Sequence, residues 1–572
     1  MATFNFDNSH LLGKVRDVDT RKVSILVEKS EDLRKARVGQ LVAISLPGAI
    51  EAWLIGLIER VIKTIASVDD IVEDATGTSK DVIESVANSV KVTLLGSLIC
   101  NPREVIFTRS LNQVPEIDSE CQILRDAQLE TFMGILSQSG KKENSFEIGK
   151  YTIDEKAKAY LDGNKFFQRH AALVGSTGSG KSWVVASILE KAARLPSANM
   201  VVFDLHGEYR KLSYAKQLRI PGPEDLGKTS NELLHLPYWL LNAEEMQTMF
   251  IDRTEFTAHN QVMAFQDAVI EQKKAILTEL GKEQVLAAFT LDSPVPFNLG
   301  KVIATLKSLN EEMIDGARGL KQGNFYGQFS RLLTRIRSKL NDKRYGFLFQ
   351  APEDEHQYNS MANLAAKLMD FSKTKSQIKV IDFSEVPEDI LPIIVGLVAR
   401  IIYQVQFWTV LEERHPLVFV CDEAHLYLPK KEGQNPVEKR AIENFEKIAK
   451  EGRKYGVALF IISQRPSDVS DTILSQCNNV ISLRLTNSAD QTTVKKLMPE
   501  SLESMLDVLP IMDIGEGMVV GDAVLLPSRI KINPPTEKPL SSTIDIWSEW
   551  SKLPDNPDFV KTVENFRRQS RD

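Results

Sequence analysis

Residues 172–183 read ALVGSTGSGKSW, an apolar run that passes into glycines and hydroxyls and ends at a lysine and a serine. Gly175, Gly180, Lys181 and Ser182 fall at the spacing G-x-x-x-x-G-K-[ST], with Thr177, Gly178 and Ser179 filling the loop between them. Glycines let backbone N–H groups turn toward a phosphate without a Cβ in the way, and the start of the following helix adds the positive end of its dipole. Lys181 then suits the β- and γ-phosphates and the Ser182 hydroxyl suits Mg²⁺, so the chemistry expected here begins with binding of ATP and Mg²⁺. A second stretch, LVFVCDEAH at 417–425, ends an apolar run in an adjacent acidic pair. Asp422 suits the metal through water, and Glu423 suits polarising an attacking water. A hydrolase needs that pair; a binding switch can do without the glutamate.

Four further residues extend the candidate site. The helical pattern that contains Val437, Ala441, Phe445 and Ile448 is broken by Gly452, and Arg453 follows just before the next apolar run. An arginine at such a junction suits reaching the γ-phosphate held by a neighbouring subunit, and it equally suits complementing a helix C-terminus. Gln464 closes the run VALFIIS, where it can sense a γ-phosphate or cap the strand end. Arg484 lies inside VISLRL, where an unpaired buried guanidinium is costly, so a carboxylate or phosphate partner is expected. Glu208, with His206, follows VVFD and suits either the surroundings of the catalytic water or a strand-end turn.

These residues must be carried by apolar strands set between helices. AALVG, MVVFDL, IKVIDFS, LVFVCDE, VALFIIS and VISLRL are continuous apolar runs of the kind found in a mostly parallel sheet covered on both faces. They predict an α/β core over 146–540, interrupted by a helical insertion at about 240–375 without clear strands. Before it, KVSILVE, QLVAISL, AWLIGLIERV and VKVTLLGSLI are short β-rich runs separated by turn residues, which predict a small barrel or sandwich over 1–140. The polar stretch SQSGKKENS at 137–145 reads as a linker, and 541–572 as a tail with one or two short helices.

With 572 residues the chain is too long for one core. Its net charge of −7 argues against coating nucleic acid with the whole surface but leaves room for a local basic track. The densest basic stretch is RLLTRIRSKLNDKR at 331–344, in which Arg331, Arg335 and Lys339 share a helix face. That face is either simply solvated or a DNA-facing strip multiplied around a ring. Four scattered cysteines without metal-ligand spacing, and no signal-like segment at Met1–His10, fit a reducing cytoplasm. The apolar stretch 391–411 is long enough to cross a membrane, but Arg400, Gln404 and Gln406 interrupt it, which favours a buried core helix.

The combination resembles the HerA family of DNA-translocating ATPases, within the wider HerA/FtsK superfamily. Beyond the glycine loop, the resemblance is carried by VVFDLHGEY, LPYWLLNAEEM, LVFVCDEAHLYLP, KIAKEGRKYGVALFIISQRPSDV and GEGMVVGDAVLLPSRIKI, and it spans nearly the whole chain. It implies a RecA-like P-loop ATPase core behind an N-terminal barrel like the family's HAS barrel. It also implies a homo-oligomer of six subunits, double-stranded DNA as the track, Arg453 as an arginine finger and Gln464 as a sensor. A nuclease, sirtuin-like or other effector docked on the barrel face is implied too, in end processing or antiphage defence. Two other classes stand beside this motor: a ring scaffold that activates an effector without processive movement, and a membrane-associated secretion or conjugation ATPase. Keeping Glu423, Arg453 and Gln464 together favours turnover over the scaffold, and the lack of a convincing span speaks against the membrane enzyme.

Overall fold

The computed structural model describes residues 4–568 apart from 48–50, 70–81, 101–104, 112, 317–318, 371–376, 431–435, 499, 542–545 and 553–557. Its strands are β1 (Leu11–Asp19), β2 (Lys22–Leu26), β3 (Leu41–Leu46), β4 (Ala52–Asp69), β5 (Val82–Cys100), β6 (Val105–Thr108) and β7 (Glu120–Ile123). There follow β8 (Ser145–Tyr151), β9 (Lys158–Asp162), β10 (Ala171–Val174), β11 (Asn199–Asp204), β12 (Ala215–Arg219), β13 (Met313–Gly316) and β14 (Gly319–Gln322). The last six are β15 (Gln377–Asp382), β16 (Leu417–Cys421), β17 (Val457–Ser463), β18 (Asn479–Ser482), β19 (Glu516–Gly521) and β20 (Ser528–Ile532). The chain divides into two units, Met1–Val184 with Cys477–Pro534, and Val185–Gln476 with Pro535–Asp572.

In the first unit a six-stranded antiparallel barrel closes in the order β2-β1-β7-β3-β4-β5 and back to β2, with β6 paired to β5 beyond the closure. Alternation drives it. Val23 and Ile25, Val42 and Ile44, Val90 and Val92, and Cys121 and Ile123 are inward pairs two residues apart, and they form one buried core with Leu12, Leu54 and Ile58. Four of these strands match the runs that predicted a barrel; β1, β6 and β7 are less apolar and were not legible. The expected linker at 137–145 begins instead inside a helix, Asp126–Gly140, which buries Phe132, Met133 and Leu136.

The same unit carries the strand before the glycine loop. β10 is buried throughout and runs parallel to β18, and the order then continues antiparallel through β18-β19-β20-β8-β9. Asn479 at the start of β18 fixes this join, its amide donating to Lys165 O at 2.8 Å and its Oδ1 accepting from the Ala523 N–H at 2.9 Å.

The second unit matches the parallel expectation. Its order is β12-β15-β11-β16-β17, all parallel, with β11, β15, β16 and β17 almost wholly buried. Helix Leu391–Trp408 is apolar and long enough to span a membrane by composition, yet most of its residues are buried inside this unit. Its Arg400 meets Glu245 through two contacts of 2.9 and 2.7 Å and donates to Leu240 O at 2.8 Å, with the glutamate 3% exposed. The insertion is helical, with Ala243–Phe250, Ala258–Glu279, Leu299–Asn310, Ser330–Asn341 and Ser360–Met369. It also contains a β-hairpin, β13 with β14, in a stretch too polar to read as strand.

Candidate nucleotide-binding and hydrolysis residues

Between β10 and helix Lys181–Ala193 the chain makes a loop that only glycine tolerates at two points: Gly178 has φ 74° and Gly180 has φ 100°. Gly175 answers a different constraint. A Cβ there would lie 2.6 Å from Ser179 Oγ and 2.8 Å from Leu483 Cβ, so the absence of a side chain lets the loop fold against the chain that follows β18. The backbone hydrogen bonds tell the same story: the Ser176 N–H donates to Arg484 O at 2.8 Å, the Thr486 N–H to Ser176 Oγ at 3.3 Å, and the Gly515 N–H to Ser179 O at 3.3 Å. Lys181 is buried at the first helical position, and its Nζ donates to Gly175 O at 3.0 Å, which folds the amine back over the loop. The Ser179 hydroxyl is buried and unpartnered, so it adds a donor to the loop. Thr177 and Gly178 are exposed, and Ser182 is partly so. A loop of converging backbone around a buried ammonium fits a polyphosphate chain.

The acidic residues gather in the second unit. β11 ends in Asp204, fully buried, whose carboxylate accepts the N–H groups of His206 at 3.3 Å, Glu208 at 3.0 Å and Tyr209 at 2.9 Å. This knot turns the chain so that the Glu208 carboxylate comes close to Asp422 at the end of the neighbouring β16, while His206 is exposed. Burial, with Asp382 as a second cause, pushes the Asp204 carboxyl up to about 6 against those three hydrogen bonds. Asp422 is pushed well above the ordinary carboxylate range, first by burial and then by Glu423, Glu208 and Asp204. Glu423, Glu208 and Asp204 oppose the charge of Asp422, and a divalent cation beside it would relieve that repulsion. Among the described residues no three His, Cys, Asp or Glu side chains converge to hold a metal by themselves, so Asp422 fits Mg²⁺ only as one ligand of an ion that takes the others from phosphate and water. Glu423 sits in the left-handed region at φ 44°, ψ 44°, a conformation that is rare for a residue with a side chain and collects at functional sites.

The remaining candidates fall at element ends. Arg453 lies on the short turn Gly452–Tyr455 between helix Pro436–Glu451 and β17, and its guanidinium is exposed, with no ion pair among the described residues. Gln464 follows the last residue of β17. Arg484 lies beyond β18, which ends at Ser482, and it is only half-buried. The expectation of a guanidinium inside a strand is corrected: its backbone, through Ser176, braces the glycine loop. The basic strip is also corrected. Arg335 is committed to Glu255 at 2.7 Å and to Phe250 O at 3.0 Å, and Lys339 to Asp389 at 3.0 Å and the Tyr345 hydroxyl at 2.7 Å. These two are half-buried and held in ion pairs, and of the three only Arg331 is exposed without an ion pair among the described residues. Asp204, Tyr209 and His425, which stand in the acidic cluster, were missed as individuals, although each sits in a stretch whose neighbours drew attention.

Two family models match the chain: "Helicase HerA, central domain" over residues 146–402 and "Helicase HerA-like C-terminal" over 410–525. The DNA double-strand break repair helicase HerA of Saccharolobus solfataricus is 26% identical over 454 residues, covering 77% of this chain and 78% of that protein. The protein of the same name from Sulfurisphaera tokodaii is 24% identical over 547 residues, covering 94% and 96%. Among solved structures, VirB4 of Thermoanaerobacter pseudethanolicus is 17% identical with a TM-score of 0.44, covering 69% of this chain and 98% of that one.

Proposed function

For a chain that belongs to the HerA family of P-loop ATPases, we propose that cycles of ATP hydrolysis drive a ring of identical subunits along double-stranded DNA. The observation that carries hydrolysis is the strained, left-handed Glu423 beside buried Asp422, an arrangement that nucleotide binding alone does not require. In this reading Gly175, Thr177, Gly178, Ser179 and Gly180 cradle the phosphates with their backbone, and Lys181 leaves Gly175 O to meet the β- and γ-phosphates. Ser182 and Asp422 are the residues that would hold Mg²⁺, which when bound draws charge from the phosphates. Glu423 takes a proton from the attacking water, and Glu208 keeps the surroundings of that water polar. Gln464 senses the γ-phosphate. Arg453, exposed on its turn, reaches the γ-phosphate of an adjacent subunit, which makes turnover a property of the assembly. Arg484 acts on the loop from behind, through its backbone contact with Ser176.

Six subunits, a duplex DNA track and an effector docked on the N-terminal barrel complete the reading, with DNA end processing or antiphage defence as its setting. The names of the two relatives support the choice of DNA as track. The test is steady-state phosphate release with and without duplex DNA. Lys181→Ala is expected to lose nucleotide binding, and Glu423→Ala to bind ATP and not turn it over. Mixing Arg453→Ala with Glu423→Ala subunits is expected to restore part of the activity, because some interfaces regain both groups. Normal turnover by Glu423→Ala, or full activity from isolated Arg453→Ala subunits, would defeat the respective assignments.

A further inference from the structure

Glu423 does not stand alone at the end of β16. The left-handed turn at this residue leads directly into the short helical turn Ala424–Leu426, and His425 comes back beside it. His425 Nδ1 lies 3.3 Å from Glu423 Oε2, with the two side chains 10% and 15% exposed. The same nitrogen lies 3.4 Å from the hydroxyl of Ser463, the last residue of β17, which is fully buried and accepts the Arg465 N–H at 3.0 Å. An ionised carboxylate can only accept, so the nitrogen that faces it must carry the proton, whether in the neutral Nδ1–H tautomer or in the imidazolium. Nδ1 thus stands between a carboxylate just past the end of β16 and the hydroxyl that closes β17, and the approach to Glu423 Oε2 is an ionic contact without hydrogen-bond alignment, since that oxygen is buried with no hydrogen-bond partner among the described residues. Both distances are longer than an optimal hydrogen bond, so a small displacement of the β17 end changes the hold on Glu423.

We infer that His425 is a positioning residue for hydrolysis, fixing the Glu423 carboxylate through Nδ1 and tying it to Ser463 at the strand end that leads into Gln464 and Arg465. This rests on the reading of Glu423 as the water-activating group. A general base works only when held within hydrogen-bond reach of the proton it takes, and a misplacement on the order of 1 Å costs about a hundredfold. The left-handed backbone already restricts where the carboxylate can point, and the imidazole removes much of the remaining side-chain freedom. The consequence is a link between β16 and β17 whose strength depends on where Ser463 stands. A change sensed at Gln464 reaches the base through two side chains.

The test compares three substitutions at one position by ATP turnover and by binding of a fluorescent ATP analogue. His425→Ala is expected to lower kcat about ten- to hundredfold with nucleotide affinity unchanged. His425→Asn, whose amide N–H falls near the place of Nδ1, is expected to recover much of that loss. His425→Gln, whose amide falls near Nε2, is expected to stay low. The Asn–Gln contrast remains decisive even where His425→Ala fails to fold, because a merely space-filling role would favour the larger Gln. Wild-type kcat in His425→Ala, or equal kcat in the Asn and Gln variants, would overturn the inference. If Glu423→Ala also turns over normally, the assignment of the base has failed; if only Glu423→Ala is inactive, the histidine inference alone has failed.

Discussion

Replacing Gly175 with alanine separates steric from conformational demands in the phosphate loop. The added Cβ would meet Leu483 Cβ at 2.8 Å and Ser179 Oγ at 2.6 Å, where ordinary contact begins near 3.4 Å. Ser179 can rotate its hydroxyl away, but Leu483 Cβ is fixed to a backbone whose N–H donates to Val174 O at 2.8 Å. Relief therefore requires the loop to move away from 483–486 by about half an ångström or more, breaking or stretching the Ser176–Arg484 bond. Overpacking of this kind costs about 1–3 kcal/mol. If that strain is carried by the loop, ATP affinity falls about five- to a hundred-and-fiftyfold. Gly178→Ala is the control: it has φ 74° but nothing within 4 Å of the new Cβ, so only the left-handed penalty of about 1 kcal/mol applies. The assay is equilibrium titration with a fluorescent ATP analogue, alongside a thermal melt of each variant. Wild-type affinity and melting in Gly175→Ala would refute the claim that the loop is braced from behind by Leu483 and Arg484.

Three further outcomes are expected. Arg400→Met strands Glu245, 3% exposed, without its cation, and should cost about 3–5 kcal/mol, read as a large fall in melting temperature. Arg335→Glu should also lower the melting temperature, because it sets a third acid against Glu255 and Asp252, whereas Arg331→Glu should not; if Arg331 contacts DNA, its reversal alone should flatten the salt dependence of DNA binding, by about 0.9 in log–log slope for one phosphate. Asp204, at about 6 when folded and about 3.9 when unfolded, holds its proton more tightly in the native state, so its contribution to stability is greatest below about pH 4 and is lost as pH rises to about 6. Melting curves over pH 4–7 should therefore show a decline in the wild type, worth about 3 kcal/mol at most, that Asp204→Asn lacks.

The phosphate loop was legible because its chemistry forces residue types into a fixed order: glycine where φ turns positive, lysine at the first helical position. The continuous apolar runs were equally plain, since strands buried on both faces leave no polar positions. What stayed hidden depends on tertiary partners. The antiparallel extension β19-β20-β8-β9 draws on segments far apart in the chain, and no local pattern announces their pairing. Arg335 and Lys339 show correct helical spacing, but spacing says nothing of Glu255 and Asp389, which reach them from other elements. Arg484 was read as part of a strand because Leu483 and Leu485 are apolar; both are buried, but they lie past the end of β18 at Ser482. His206 and Glu208 were open to reading as a strand-end turn; Asp204, which the sequence did not single out, makes that turn, and the turn presents Glu208 to Asp422.

The central claim is movement on duplex DNA driven by hydrolysis, and displacement of a triplex-forming oligonucleotide from a duplex tests it most directly. The account predicts release of the third strand with ATP and Mg²⁺, no release with a non-hydrolysable analogue, and none with Glu423→Ala. Vigorous DNA-stimulated hydrolysis by the wild type with the third strand left in place would contradict it.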